Sequence, residues 1–222
     1  MRQLATHLSI RIRGKTLPLK VPDLLVPRFH RHPTPLPGLH LLIRLPLGDE
    51  RGYLERMFCE EELADLLEGR RIVQINHTLT QSAGTVRGLH FQRPPHAETK
   101  FVSCLRGEVF DVALDLRQDS STFLKWHGEI LSAANHRTLL IPEGFAHGFQ
   151  TLTPDCEMLY LHTAAYHPEA EDGVDGLDAN LKIDWPLPVS ERSLRDQNLS
   201  PAKSVKPISL SSRRPGKQQG AV

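Results

Sequence analysis

The stretch Lys100-Phe-Val-Ser-Cys-Leu-Arg-Gly-Glu-Val-Phe-Asp-Val-Ala-Leu-Asp-Leu-Arg117 decides the fold class. Apolar and polar residues alternate on both sides of Arg106-Gly107, the two-residue period of half-buried strands, and the Arg-Gly pair marks a tight turn between them. Runs of the same kind recur on either side, at 73–77, 86–91, 101–105, 109–116, 126–131, 137–141, 149–152 and 158–162, separated by Gly, Pro, Asn and Asp. About eight short strands at regular spacing imply an all-β, antiparallel sandwich or barrel. One helix is expected, over 59–69, where Leu63, Leu66 and Leu67 fall at spacings of three and four, acids fill the first turn and a Gly ends the run.

A chain of 222 residues is long enough for one domain with a full core. The net charge of +1 hides an uneven distribution: residues 1–36 carry seven Lys or Arg against Asp23 alone, and residues 203–222 carry five with no acid. The remaining body holds 15 basic and 25 acidic residues. An acidic body argues against nucleic acid as partner, so an anionic ligand must be met by a few locally placed cations. Residues 1–36 and 201–222 read as basic, disordered extensions flanking a domain over 37–200. No apolar run is long enough to cross a bilayer, and the N-terminus lacks the apolar stretch of a secretory signal. Cys59, Cys104 and Cys156, an odd number without metal-type spacing, fit small buried side chains in a reducing compartment. The expectation is a cytoplasmic protein with no membrane partner.

Two segments carry chemistry. Thr85-Val-Arg-Gly-Leu-His-Phe-Gln92 and Ile141-Pro-Glu-Gly-Phe-Ala-His-Gly-Phe149 each set one imidazole among apolar and Gly residues, with Arg87 three residues before His90. An imidazole in a dry cavity can take a proton from a carbon acid or hold an anionic substrate. For either segment alone, an ordinary half-buried histidine is the simpler reading, since the chain has 12 His.

Taken in order with Gly48-Asp-Glu-Arg-Gly52, Lys100, Ile183-Asp-Trp-Pro186 and Ser193-Leu-Arg-Asp196, these segments resemble the dTDP-4-dehydrorhamnose 3,5-epimerase family, across roughly residues 37 to 200. The resemblance implies a double-stranded β-helix, the cupin jelly roll. It also implies a homodimer, a nucleotide-sugar substrate and no cofactor. The implied reaction is epimerisation at C3 and C5 of a nucleotide-linked 4-keto-6-deoxy sugar. The C4 carbonyl acidifies the neighbouring C–H bonds, so the site needs a base on one face, a donor for the enolate oxygen and an acid on the other face.

On this resemblance His90 is the base, Asp196 orients its ring, and Tyr160 is the opposite-face acid. Lys100 and His147 contact the sugar. Arg51, Arg87 and Arg195 meet the diphosphate, for which guanidinium groups are suited by bidentate geometry. Gln74 and Asn76 line the nucleotide site. The chain also departs from the family's pattern. Arg56 stands where many members have a thymine-binding Glu, Ala164-Ala-Tyr-His167 replaces consecutive tyrosines, and Asp175-Gly-Leu-Asp178 replaces an Arg-Trp before Asp-Asp-Pro. A metal is not expected: other cupins use a His-x-His pair, and His90-Phe-Gln92 lacks the second ligand, with His96 and Glu98 in a Pro-rich loop. The rival readings are an epimerase acting on C3 only or on another deoxysugar, and a non-catalytic protein that binds a sugar nucleotide.

Overall fold

A computed structural model describes residues 27–210, together with the backbone of two short strands, β1 (Ser9–Ile12) and β2 (Lys15–Pro18), which pair antiparallel. Along the chain follow β3 (Phe29–Pro33), β4 (His40–Arg44), β5 (Leu47–Asp49), β6 (Gly52–Leu54), α1 (Ala64–Leu67), β7 (Gln74–Thr80), β8 (Val86–Gln92) and β9 (Lys100–Arg106). Then come β10 (Glu108–Asp115), β11 (Trp126–Ser132), β12 (Arg137–Ile141), β13 (Phe145–Thr151), β14 (Cys156–His162), β15 (Glu171–Gly173) and α2 (Leu194–Gln197). Two antiparallel sheets form the body, ordered β11-β10-β13-β8-β15 and β3-β4-β12-β9-β14-β7. This is the expected double-stranded β-helix. None of the described helices is long and apolar enough to cross a membrane.

Between the sheets lies a core drawn from both: Val109, Ala113, Phe145 and Phe149 from one, and Val102, Cys104, Leu139 and Met158 from the other. The central strands β8, β9, β10, β12 and β13 are largely buried on both faces because each sheet is also covered outside. Alternate residues of β9 show it, with Val102 inside and Phe101 outside, where Leu63 and Leu67 of the α1 segment pack with Leu42 and Leu140. The five-stranded sheet is covered by the chain's end, through Leu181, Ala202, Val205 and Ile208.

Three expectations change. The alternation around Arg106-Gly107 suggested adjacent strands, but β9 pairs with β12 and β14 whereas β10 pairs with β11 and β13. Gly107 is a corner between sheets: its φ is +77°, and a Cβ there would lie 2.5 Å from Thr153 Oγ1. The helix expected over 59–69 is reduced to Ala64–Leu67: residues 60–63 form turns, and Glu68 already turns left-handed at φ +50°. The domain boundaries move outward. Phe29–Pro33 pairs with β4 and Leu36 is buried, and at the other end Ile208 is buried and bridges Arg117, so residues 29–36 and 202–208 belong to the body. Residues 27, 28, 201, 209 and 210 are described as well, with Arg28 buried, and the disorder expected for the rest of the two extensions concerns residues that, the β1 and β2 backbone apart, lie outside the described ones.

Candidate active site

A cavity of about 680 Å³ opens between the sheets, and most of the expected site residues line it. β7 contributes Gln74 and Asn76, β8 Arg87 and His90, β9 Lys100, β13 His147, β14 Tyr160, and α2 Arg195 and Asp196. The registers bring them into line. His147 stands opposite His90 across β13 and β8, and Tyr160 stands opposite Asn76 across β14 and β7.

Close backbone approach makes the first of these pairs possible. Gly88 has φ +110°, and a Cβ on it would lie 2.7 Å from Gly148 Cα and from the His147 carbonyl oxygen. The ladder slips at this point, between His147 and Phe149. The Gly88 N–H is freed for another partner and donates to Asp196 Oδ2 at 3.1 Å.

Asp196 is buried, and its other carboxylate oxygen lies 2.7 Å from His90 Nε2. The residue is held by its own short helix, since Ser193 caps α2 by accepting the Asp196 backbone N–H at 3.0 Å. Burial pushes the Asp196 carboxyl up, but hydrogen bonds from His90, Gly88 and Ser193 outweigh it and hold the group below the ordinary aspartate value. A carboxylate on Nε2 fixes the His90 tautomer and leaves Nδ1 as the basic nitrogen.

His147 is likewise oriented by a buried carboxylate, with Nε2 2.9 Å from Asp111 Oδ2. Tyr160 meets the His147 ring edge-on, with centroids 6.0 Å apart. Burial drives the Tyr160 hydroxyl well above the ordinary tyrosine value, so it stays protonated. Lys100 Nζ pairs with Glu98 at 3.1 Å. Arg87 is exposed at the cavity and has no carboxylate partner among the described residues, whereas Arg195 shares Glu171 with the Tyr166 hydroxyl at the mouth, at 2.8 and 2.6 Å.

Arg51 is the one expected site residue outside this cavity. It sits on the exposed β5–β6 hairpin, its side chain 89% accessible and paired with Asp49 at 2.5 Å. Gln92, where other cupins have a second histidine, is buried and engaged with the His96 and Ala165 carbonyls and the His167 N–H. Sequence reading did not find Asp111 beneath His147, Glu171 at the mouth or the buried pair Glu98–His162. None of these lies in a local pattern, and only strand register brings each to its partner.

A jelly-roll barrel whose cavity sets a carboxylate-oriented imidazole against a protonated tyrosine and a lysine defines a cupin-type isomerase, a carbohydrate epimerase. The chain belongs to the dTDP-4-dehydrorhamnose 3,5-epimerase family, whose model matches residues 33–204. The Salmonella typhimurium dTDP-4-dehydrorhamnose 3,5-epimerase is 44% identical over 156 residues, 69% of this chain and 84% of that protein. The Shigella flexneri enzyme of the same name is 40% identical over 174 residues, 78% of this chain and 94% of that one. Among solved structures, dTDP-6-deoxy-D-glucose-3,5-epimerase from Legionella pneumophila, in complex with dTDP-4-keto-L-rhamnose, superposes with a TM-score of 0.78 at 37% identity, covering 83% of this chain and 100% of that one.

Proposed function

We propose that this protein epimerises a dTDP-linked 4-keto-6-deoxy sugar at C3 and C5, converting dTDP-4-dehydro-6-deoxyglucose to dTDP-4-dehydrorhamnose. The observation that carries the mechanism is that His90 and Tyr160 come from opposite sheets, β8 and β14, and line the same cavity. His90 Nδ1 takes the proton from carbon while Asp196 stabilises the imidazolium that forms. The electron pair moves onto the C4 oxygen, where Lys100 and His147 stabilise the enolate. Tyr160 returns a proton to the other face, and inversion follows. Arg87 and Arg195 hold the diphosphate, while Gln74 and Asn76 line the nucleotide end.

Homodimerisation belongs to the same proposal. Arg51 can meet a nucleotide only if its hairpin reaches another subunit's cavity. That reading is supported by the exposed Tyr53 and Leu54 beside it, and by the exposed Val73, Ile75 and Leu79 on or beside the edge strand β7. A cytoplasmic location is proposed from the three cysteines, which are free thiols, with Cys104 pushed up to about 12 by burial.

The test is proton NMR in deuterium oxide with dTDP-4-keto-6-deoxyglucose. Deuterium entering at both C3 and C5 is the expected result. Exchange at C3 alone would make the protein a single-centre epimerase, and no exchange at either would leave a binding protein.

A further inference from the structure

One buried charged group in the cavity wall has no part in the mechanism above. Glu98 lies in the loop between β8 and β9, its side chain 7% accessible, and it accepts from Lys100 Nζ at 3.1 Å and from His162 Nδ1 at 2.8 Å. The loop is anchored at Thr99, which exchanges hydrogen bonds with Thr163 at 2.8 and 3.1 Å. His162 is itself buried and stands in register opposite both Lys100 on β9 and Gln74 on β7. Its other ring nitrogen, Nε2, lies 3.4 Å from the Asn76 amide nitrogen. Asn76, Glu98, Lys100 and His162 all line the cavity.

From this geometry we infer that His162 is a positioning and specificity-determining residue, which sets the orientation of Asn76 on one side and the availability of Lys100 on the other. A carboxylate can only accept, so His162 Nδ1 carries the proton it donates to Glu98. In the neutral ring Nε2 then has only a lone pair, which suits the Asn76 NH2 group that faces it. The Asn76 carbonyl oxygen is thereby turned to the ligand side, where it accepts from an N–H or O–H and disfavours a ligand offering an acceptor there.

On the other arm, Glu98 divides its charge between two donors. Were His162 not donating, the carboxylate would hold Lys100 more tightly, leaving the ammonium less available to a developing enolate oxygen. The two arms therefore act on different quantities, ligand affinity through Asn76 and turnover through Lys100.

This inference rests on the sugar-nucleotide reading, and two conservative variants separate its arms. His162→Asn keeps a donor in the place of Nδ1 and loses the acceptor. Its affinity for dTDP and its KM should weaken by about three- to tenfold, the scale of one neutral hydrogen bond, with kcat little changed. His162→Gln keeps an acceptor in the place of Nε2 and loses the donor. Its kcat should fall by about tenfold, with dTDP affinity little changed. A structural role alone would lower thermal stability in both while leaving kcat and KM per folded molecule intact. That outcome, or both variants moving the same constant by the same factor, overturns the inference.

A measurement on the unaltered protein decides the matter even if a variant does not fold. The ¹⁵N shifts of His162 near neutral pH should report the Nδ1–H tautomer. An Nε2–H tautomer or an imidazolium overturns the assignment. If the unaltered protein turns over no 4-keto sugar nucleotide, the proposed function fails, while the tautomer and the dTDP affinities still test His162.

Discussion

The Asp196 carboxylate and the His90 imidazole lie 106 residues apart in the chain and meet at 2.7 Å, joined by a helix of four residues that has no other buried side chain. The bond commits Nε2, so Asp196 decides that Nδ1 is the ring nitrogen left with a free lone pair. Asp196→Asn should therefore lower the rate of deuterium uptake at C3 and C5 by about 10²-fold or more, and His90→Ala by about 10²–10⁴-fold, with dTDP binding preserved in both. Isothermal calorimetry with dTDP and exchange followed by NMR give the two numbers. Exchange within tenfold of the unaltered enzyme in His90→Ala would remove His90 from the reaction.

Tyr160→Phe removes the hydroxyl and keeps the ring that packs against His147. If Tyr160 is the opposite-face donor, the variant still abstracts a proton but returns one from the original side. Solvent deuterium should then enter faster than inverted sugar accumulates. Equal loss of both rates in a folded variant would move the donor role elsewhere, with Tyr166 at the mouth the next side chain to test.

Gly88→Ala tests the close approach of β8 and β13. The positive φ alone costs an alanine about 1–3 kcal/mol, and the new Cβ would also meet backbone at 2.7 Å. The expected result is a clear drop in thermal midpoint together with lost exchange, because the same peptide N–H holds Asp196. A variant as stable and active as the unaltered protein would show that this contact is relaxed in solution.

Asp115 gives a pH test away from the cavity. Its carboxylate is buried, which pushes its proton affinity up, yet hydrogen bonds from Arg117, Ser120 and Thr122 hold it below the ordinary aspartate value. In the folded state the group therefore resists protonation more than in the unfolded chain. Its stabilisation is complete above the unfolded value near pH ~3.9 and is lost as the pH falls through the folded value. Asp115→Asn should destabilise the protein at neutral pH by about 1–3 kcal/mol. It should also flatten the fall in stability below about pH 4, as followed by denaturant unfolding across pH.

The barrel strands were legible where a strand alternates or forms a clean apolar run, as in β8, β9, β10 and β14. They were hidden where burial does not follow from residue type. In β3 only Phe29 is buried and four residues are exposed, so an edge strand looks like a polar tail. β13 is buried at all seven positions, which removes the alternation that would place His147 in a strand instead of a turn. The resemblance supplied His90, Tyr160 and Asp196 because each sits in a recognisable motif. Glu98 and His162 carry no such signal: they are 64 residues apart, and each alone reads as one more polar side chain. Arg51 matched a motif, but a motif does not place its hairpin, which the fold sets at the surface outside the cavity.

The order of the elements along the chain has a consequence for biosynthesis. Every strand of the two main sheets has been synthesised by Gly173, whereas Asp196 and the residues 202–208 that cover the five-stranded sheet follow later. His90 on β8 is therefore synthesised long before the carboxylate that orients its ring. A chain truncated between Gly173 and Asp196 would keep every strand of both sheets and lack the His90–Asp196 bond.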